Sequence, residues 1–275
     1  MNAPQRLEVD GLEVRVHGES LTRAALEALT DHAAAAALEQ RVLAQLAPCG
    51  GEVLWLKGDH LPGKARWRHT LGGLFGHATP REREHLRLEW LRARLFRAPR
   101  PRASASLRLH GVLRYHVLAL DPLGAHESLG EAWSRADEAE RGAWLDELAS
   151  ESARLHSLHF VHRNLFLRNL LVDRQPPPAS GDPRRLIFID PWRGGAPLPL
   201  RGCSYDLACL MLDAAGLWST EHQRRFFASY TDERARQAQP VELRELLAHA
   251  DERRRALTRR SRGAPSDWNW RALVD

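Results

Sequence analysis

The chain of 275 residues is 43% apolar and 27% charged, with no apolar run near the ~20 residues that a membrane-crossing helix requires. It is long enough for one domain or two lobes, and its three cysteines (Cys49, Cys203 and Cys209), odd in number and without C-x-x-C spacing, argue against a disulfide framework or a zinc site. The opening MNAPQRLEVD lacks the basic and apolar regions of a secretory leader, which predicts a cytoplasmic protein, and a formal charge of +5 favours an anionic partner.

Residues 7–17 (LEVDGLEVRVH) alternate apolar and polar about Asp10-Gly11, the signal for a two-residue hairpin between short strands. From Ser20 to about Leu46 alanine and leucine recur at helical spacing, predicting one long helix, or two broken near Thr30-Asp31, ended by Ala47-Pro48 and Gly50-Gly51. Glu52 to Lys57 reads as an apolar strand ending in a lysine, and Arg81 to Phe96 as a helix with Leu86, Trp90 and Leu91 on its stripe. Lys57 is either a surface cap on that strand or, in a kinase-like lobe, the lysine that holds the α- and β-phosphates of a nucleotide. Such a lysine needs a helical glutamate, and Glu89, in mid-helix, is the candidate. Glu82 and Glu84 lie in the first turn, where the helix dipole alone favours acids. The cations crowded between Lys57 and Arg102 read as a solvated face or as a docking surface for anionic headgroups. Leu107 to Leu120 gives two strands around Gly111, and Asp121-Pro122-Leu123-Gly124 then sets a lobe boundary, with a first lobe over 1–120 and a second over 121–275.

Ser128-Leu129-Gly130-Glu131 is a capping box that opens a helix, after which Trp144, Leu145, Leu148, Leu155 and Leu158 recur at helical spacing. That pattern runs into HSLHFVHRNLFLRNLLVD, His156 to Asp173, where His162-Arg163-Asn164-Leu165 precedes Asn169 and a short apolar strand. The Pro-, Gly- and Ser-rich Arg174 to Arg185 predicts a hairpin tip, and the strand Leu186 to Ile189 returns to deliver Asp190. This is the spacing of a kinase catalytic loop and its metal-binding aspartate, H-R-D-L-x-x-x-N followed by Asp, with Asn164 where the loop's Asp belongs. The chemistry needs that layout, because phosphoryl transfer rests on positioning and on Mg²⁺ held by oxygen donors from adjacent strand ends, here Asn169 and Asp190. The alternative is a buried hairpin with a structural histidine. His156, His159 and His162 at three-residue steps straddle a helix end without a completing acid or cysteine cluster, so they read as packing or supporting residues rather than metal ligands. Past Pro191-Trp192-Arg193-Gly194-Gly195 no A-P-E element follows to seat a peptide, which favours a small or lipid-linked acceptor. Asp206, in the helical Tyr205 to Leu210, either anchors the loop from beneath or caps its helix. From Thr231 the tail reads as a solvated helix with a frayed, basic end.

The string LHSLHFVHRNLFLRNLLVD with LIFIDPWR resembles the bacterial lipopolysaccharide kinase family, the Kdo and heptose kinases of the inner core, whose loop reads roughly LHxxGFVHRDLYLRNILV. The likeness is dense from Leu155 to Arg193 and extends from Lys57 onward. It implies an α+β, bilobal protein-kinase-like fold with a small mainly-β first lobe carrying a long helix and a larger mainly-α second lobe. It further implies ATP as donor, Mg²⁺ at Asn169 and Asp190, Lys57 on the phosphates with Glu89 orienting it, the acceptor hydroxyl at Asn164 in the His162-Arg163-Asn164 loop, and a membrane-bound sugar at the cytoplasmic face. Two departures stand out: Asn164 cannot accept a proton at neutral pH, and no G-x-G-x-x-G precedes Lys57. The reading is thus an inner-core kinase, with a pseudokinase or a small-molecule phosphotransferase as alternatives. A basic nucleic-acid-binding protein is disfavoured, because the arginine-rich region carries no recognition motif.

Overall fold

The structure, a computed structural model, describes residues 5–9, 12–17, 21–40, 42–61, 63–173, 185–196, 201–261 and 268–274. The Asp10-Gly11 turn and nearly all of the hairpin tip expected over 174–185 lie outside the described residues. The chain divides into two compact units, Met1–Gly124 and Ala125–Asp275.

In the first unit, strands β1 (Gln5–Val9) and β2 (Leu12–His17) are followed by helix α1 (Arg23–Leu38), the hairpin β3 (Leu43–Cys49) and β4 (Glu52–His60), helices α2 (Gly63–Leu74) and α3 (Pro80–Ala93), and the hairpin β5 (Pro101–Leu109) and β6 (Val112–Leu120). The six strands form one antiparallel sheet in the order β1-β2-β5-β6-β4-β3. Its two faces are chemically distinct. Leu54, Leu56, Ala105, Leu107, Tyr115 and Val117 point to one face, which buries Ala25, Leu29 and Ala33 of α1. The small α1 side chains let that helix sit close to the sheet, and each buried leucine contributes about 2 kcal/mol. The other face carries the buried polar residues Ser104, Ser106 and His116 beneath α3.

The helix expected from Ser20 to Leu46 is shorter. Its cap is Thr22, whose hydroxyl accepts from the Ala25 amide at 3.1 Å, and the chain leaves the helix at Gln40, with a φ of 55°. Leu43 to Cys49 is instead an edge strand paired with β4. Ala and Leu favour a helix locally, but pairing that buries Leu43, Ala47 and Cys49 overrides the preference.

The second unit holds β7 (His126–Ser128), α4 (Leu129–Trp133), α5 (Glu138–Ser157), β8 (Leu170–Asp173), β9 (Leu186–Phe188), α6 (Arg201–Ala214), α7 (Thr220–Arg236) and α8 (Leu243–Ser261). Capping boxes at Ser128 with Glu131, Asp137 with Glu140 and Ser219 with His222 start three of these helices. Helix α5 packs on α7 and α6 on α8, while β7-β8-β9 make a small antiparallel sheet. The tail is not a solvated helix. Leu247, Ala250 and Arg254 of α8 are buried, and beyond it Trp268 donates to Gln223 Oε1 at 2.8 Å. Among the described residues no helix is long and apolar enough to cross a membrane.

Gly50 and Gly51 have distinct places in the β3–β4 turn. Gly50 has a φ of 58°, and a Cβ there would lie 2.3 Å from the Ala25 amide nitrogen at the start of α1, whereas a Cβ on Gly51 would meet open space. Gly50→Ala is therefore expected to lower unfolding free energy by about 2–4 kcal/mol and Gly51→Ala by about 1 kcal/mol, read from urea midpoints.

Candidate functional site

Each unit carries a cluster of buried and half-buried polar residues. In the first, β4 presents Lys57 and Asp59 two residues apart and so on the same sheet face. Helix α3 begins at Thr79, whose capping box consumes Glu82: the Thr79 amide donates to Glu82 Oε2 at 2.6 Å and the Glu82 amide to Thr79 Oγ1 at 3.3 Å. One helical step further in, Arg81 and Glu84 share a face three residues apart. Lys57 Nζ donates to Glu84 Oε1 at 2.8 Å, and Arg81 Nη1 donates to Glu84 Oε2 at 2.6 Å. The second Arg81 nitrogen pairs with Asp59, which faces His116 of β6 at 3.7 Å. Four alternating charges thus lock α3 to β4, with the Glu84 side chain only 2% exposed.

Burial alone would raise the Asp59 pKa, but the hydrogen-bonded His116 and the Arg81 guanidinium outweigh it and lower the pKa to about 2. His116 itself is pushed below the ordinary imidazole value, chiefly by burial. The carboxylate that meets Lys57 is therefore Glu84 and not Glu89. Glu89 lies on an exposed side of α3, 3.3 Å from His85. The expected stripe of Leu86, Trp90 and Leu91 is displaced for the same reason: the buried face runs through Arg81, Glu84, His85, Leu88 and Leu91. A search for apolar periodicity passes over it because its first turn is ionic. The detectable signal was Arg81-Glu84-Leu88-Leu91, one helix face opposite a strand with Lys57 and Asp59.

In the second unit the return of β9 is fixed by α5, since Glu147 Oε1 accepts from the Arg185 and Leu186 amides at 2.9 and 2.8 Å. The β8–β9 register, Leu170 opposite Phe188, then brings the two strand ends together, and the Ile189 amide donates to the Asn169 carbonyl at 3.0 Å. Around this junction the loop residues converge. Asn164 Nδ2 donates to Asp190 Oδ2 at 2.6 Å, and Asn169 Nδ2 donates to the Asn164 carbonyl at 2.8 Å. A carboxylate only accepts, so the Asn164 amide orientation is determined. Asp190 has a φ of 61° and Arg163 of 58°, uncommon backbone states that persist only where surroundings enforce them.

At Arg163 the enforcing group is Asp206. It is fully buried on α6 and accepts from the His162 and Arg163 amides, both at 2.6 Å. Its Oδ2 also faces His156 Nε2 at 3.2 Å, while His156 Nδ1 lies 2.8 Å from the Tyr230 hydroxyl. Asp206 is thus an anchor for the loop. Burial by itself pulls His156 toward its neutral form, but the facing Cys203, Tyr230 and Asp206 groups outweigh it and hold its pKa well above the ordinary value. The His162 ring is fully buried against Phe188, 6.2 Å between centroids, and burial lowers its pKa. His162 and Arg163 therefore meet Asp206 through their backbones, with the Arg163 side chain directed to the Ala196 carbonyl at 3.2 Å. Following Asp190, Gly195 pairs with Val161 through two 3.0 Å bonds, and a Cβ on Gly194 would lie 2.6 Å from the Phe160 ring. That glycine lets the segment close onto the loop.

Because the folded His156 pKa is raised, the stability it contributes is full below the unfolded value near 6.5 and is lost as pH rises through the folded value. The unfolding free-energy difference between wild type and His156→Gln is expected to be largest at about pH 6 and to shrink toward alkaline pH, read from guanidinium titrations of both proteins. A difference constant with pH would refute a cationic His156.

Residues 64–230, more than half of the chain, match the model of the lipopolysaccharide kinase (Kdo/WaaP) family. The matched span contains Arg81, Glu84, the loop from His162 to Asn169, Asp190 and Asp206, with Lys57 just before it. The chain is also similar in fold to a solved structure of WaaP in complex with acyl carrier protein, at 16% identity over 94% of this chain and 89% of that one, with a TM-score of 0.50. No protein of curated function matches. The matched span exceeds half of the chain and so shows the family: the chain belongs to the lipopolysaccharide kinase (Kdo/WaaP) family.

Proposed function

We propose that the protein transfers the γ-phosphoryl group of ATP to a sugar hydroxyl of the lipopolysaccharide inner core, at the cytoplasmic face of the membrane that carries this acceptor. The observation that carries the reading is the junction of Asn164, Asn169 and Asp190, which gathers oxygen donors at one strand end. Mg²⁺ takes one or two protein oxygens and completes its shell with phosphate and water. Asn169, whose nitrogen is committed to the Asn164 carbonyl, offers its amide oxygen, and Asp190 offers its carboxylate. Bound there, Mg²⁺ would neutralise charge on the transferring phosphoryl group.

Lys57 holds the donor phosphates, and Glu84 keeps its ammonium oriented. Asn164 donates to Asp190, so its Oδ1 is the atom left to accept a hydrogen bond from the acceptor hydroxyl. It orients that hydroxyl without taking its proton. A loose transition state needs little help from a base, so orientation and charge neutralisation retain most of the catalysis. The same substitution supports a second reading, a pseudokinase that keeps its metal site and serves as a regulatory partner in envelope glycolipid synthesis.

The test is Mg²⁺-dependent transfer from ATP to purified core lipopolysaccharide. The kinase reading expects wild-type turnover, its loss in Asp190→Ala, and a gain in Asn164→Asp that stays below the ~10⁴-fold upper range of base catalysis. A silent wild type with activity restored by Asn164→Asp would establish the pseudokinase, and silence in all three would refute the acceptor. Within the same assay Glu84→Gln is expected to raise the KM for ATP about tenfold, and Glu89→Gln to leave it unchanged. The factor corresponds to loss of one charged hydrogen bond.

A further inference from the structure

Helix α2, between β4 and α3, presents two unlike sides. On the inner side Thr70 is buried and its hydroxyl accepts from the Leu113 amide of β6 at 3.0 Å. Arg66 is spent on its own neighbours, donating to the Leu61 carbonyl at 3.0 Å and meeting His60 Nε2 at 3.3 Å. These ties fix the helix on the first unit. They also leave the outer side facing away, and that side is apolar: Trp67 is 57% exposed, Leu71 54% and Phe75 80%. Lys64 and Arg68 are exposed beside them. At 3.6 residues per turn, Lys64, Trp67, Arg68 and Leu71 fall within an arc of about 100°, and Phe75, in the turn that follows, continues the row. The sequence has no acidic residue between Asp59 and Glu82.

A helix face that only met water would not expose three large apolar side chains, Trp67, Leu71 and Phe75, among its cations. A contact between two copies through the same face would oppose Lys64 and Arg68 to each other and repel. An aromatic and aliphatic row with cations beside it and no acid fits the boundary of a bilayer, where Trp and Phe enter the headgroup region while Lys and Arg meet lipid phosphates. We propose that the outer face of α2 is a docking surface for an anionic lipid bilayer. The inference extends the proposed membrane-bound acceptor to a named surface, yet lipid binding is measured without ATP or acceptor and stands or falls apart from catalysis.

The test is co-sedimentation of the full chain with vesicles of phosphatidylcholine alone and with vesicles of equal phosphatidylcholine and phosphatidylglycerol. Wild type is expected to pellet with the anionic vesicles and to remain in solution with the neutral ones. Lys64→Gln with Arg68→Gln should weaken partition about thirtyfold, some fivefold for each cation. Trp67→Ser with Leu71→Ser and Phe75→Ser should abolish it. The five positions are exposed, so both variants should melt at the wild-type temperature. Both should also transfer phosphate to detergent-dispersed acceptor at the wild-type rate wherever wild type is active. In anionic vesicles containing brominated lipid, tryptophan quenching should fall in Trp67→Phe. Wild type that stays in solution, equal pelleting with both vesicles, or variants that bind as wild type would overturn the proposal.

Discussion

A buried carboxylate in the second unit is the constraint on which the loop geometry depends. Moving an ion from water into a protein interior costs several kcal/mol unless bonds replace its hydration. Asp206 gains two short bonds from consecutive amides and a third partner in His156. Here the chain aims two consecutive amides at one carboxylate by a sharp turn in which Arg163 has a positive φ. The strain at Arg163, of order 1–3 kcal/mol, is thereby offset by the satisfaction of Asp206. Asn164, the next residue, inherits its position from that turn.

The first unit solves an equivalent problem with side chains alone. Lys57, Glu84, Arg81 and Asp59 alternate in sign, so the buried Glu84 and Arg81 each have a half-buried partner on the opposing strand. Arg81 matters here as more than a neighbour. By occupying Glu84 Oε2 it fixes the carboxylate plane and leaves Oε1 toward Lys57, a task for which the forked guanidinium is better shaped than an ammonium. The depressed Asp59 pKa comes from His116, which lies outside this chain of charges, and from Arg81, which belongs to it.

Legibility in the sequence followed the source of each residue's position. The placement of Asn169 and Asp190 at adjacent strand ends was readable because a strand pair and its connecting loop fix it through backbone spacing, which a linear pattern preserves. The capping box at Ser128 and Glu131 was readable because its partners are three residues apart. Glu84 was passed over because it looks inward among charges, contrary to the rule that a helix buries its apolar stripe, and its reason lies on β4, some 27 residues away. Leu43 to Cys49 carried a helical composition and became a strand because β4 offered an edge to pair with. The tail looked solvated because its mean composition is charged, although α8 needs only a few apolar positions to cover α6. Helix α2 drew notice only as part of a basic stretch, since its exposed row of Trp67, Leu71 and Phe75 becomes visible once the inner ties of Arg66 and Thr70 are known.

Asn164 stands where the kinase loop pattern has aspartate, and the amide keeps the junction with Asp190 joined. An aspartate there would add a second carboxylate beside Asp190, whose mutual repulsion must be relieved by a cation or a proton. The amide removes that repulsion and replaces it with a 2.6 Å bond to Asp190 Oδ2. The junction is thus held together by its own hydrogen bonds through Asn164 and Asn169. What the amide gives up is the ability to take a proton. What it keeps is a single acceptor oxygen, fixed in direction because its nitrogen is engaged. In the proposed reaction Asn164 would supply direction where an aspartate would supply both direction and basicity, and phosphoryl transfer, with its loosely bonded transition state, is a reaction in which direction alone retains much of its value.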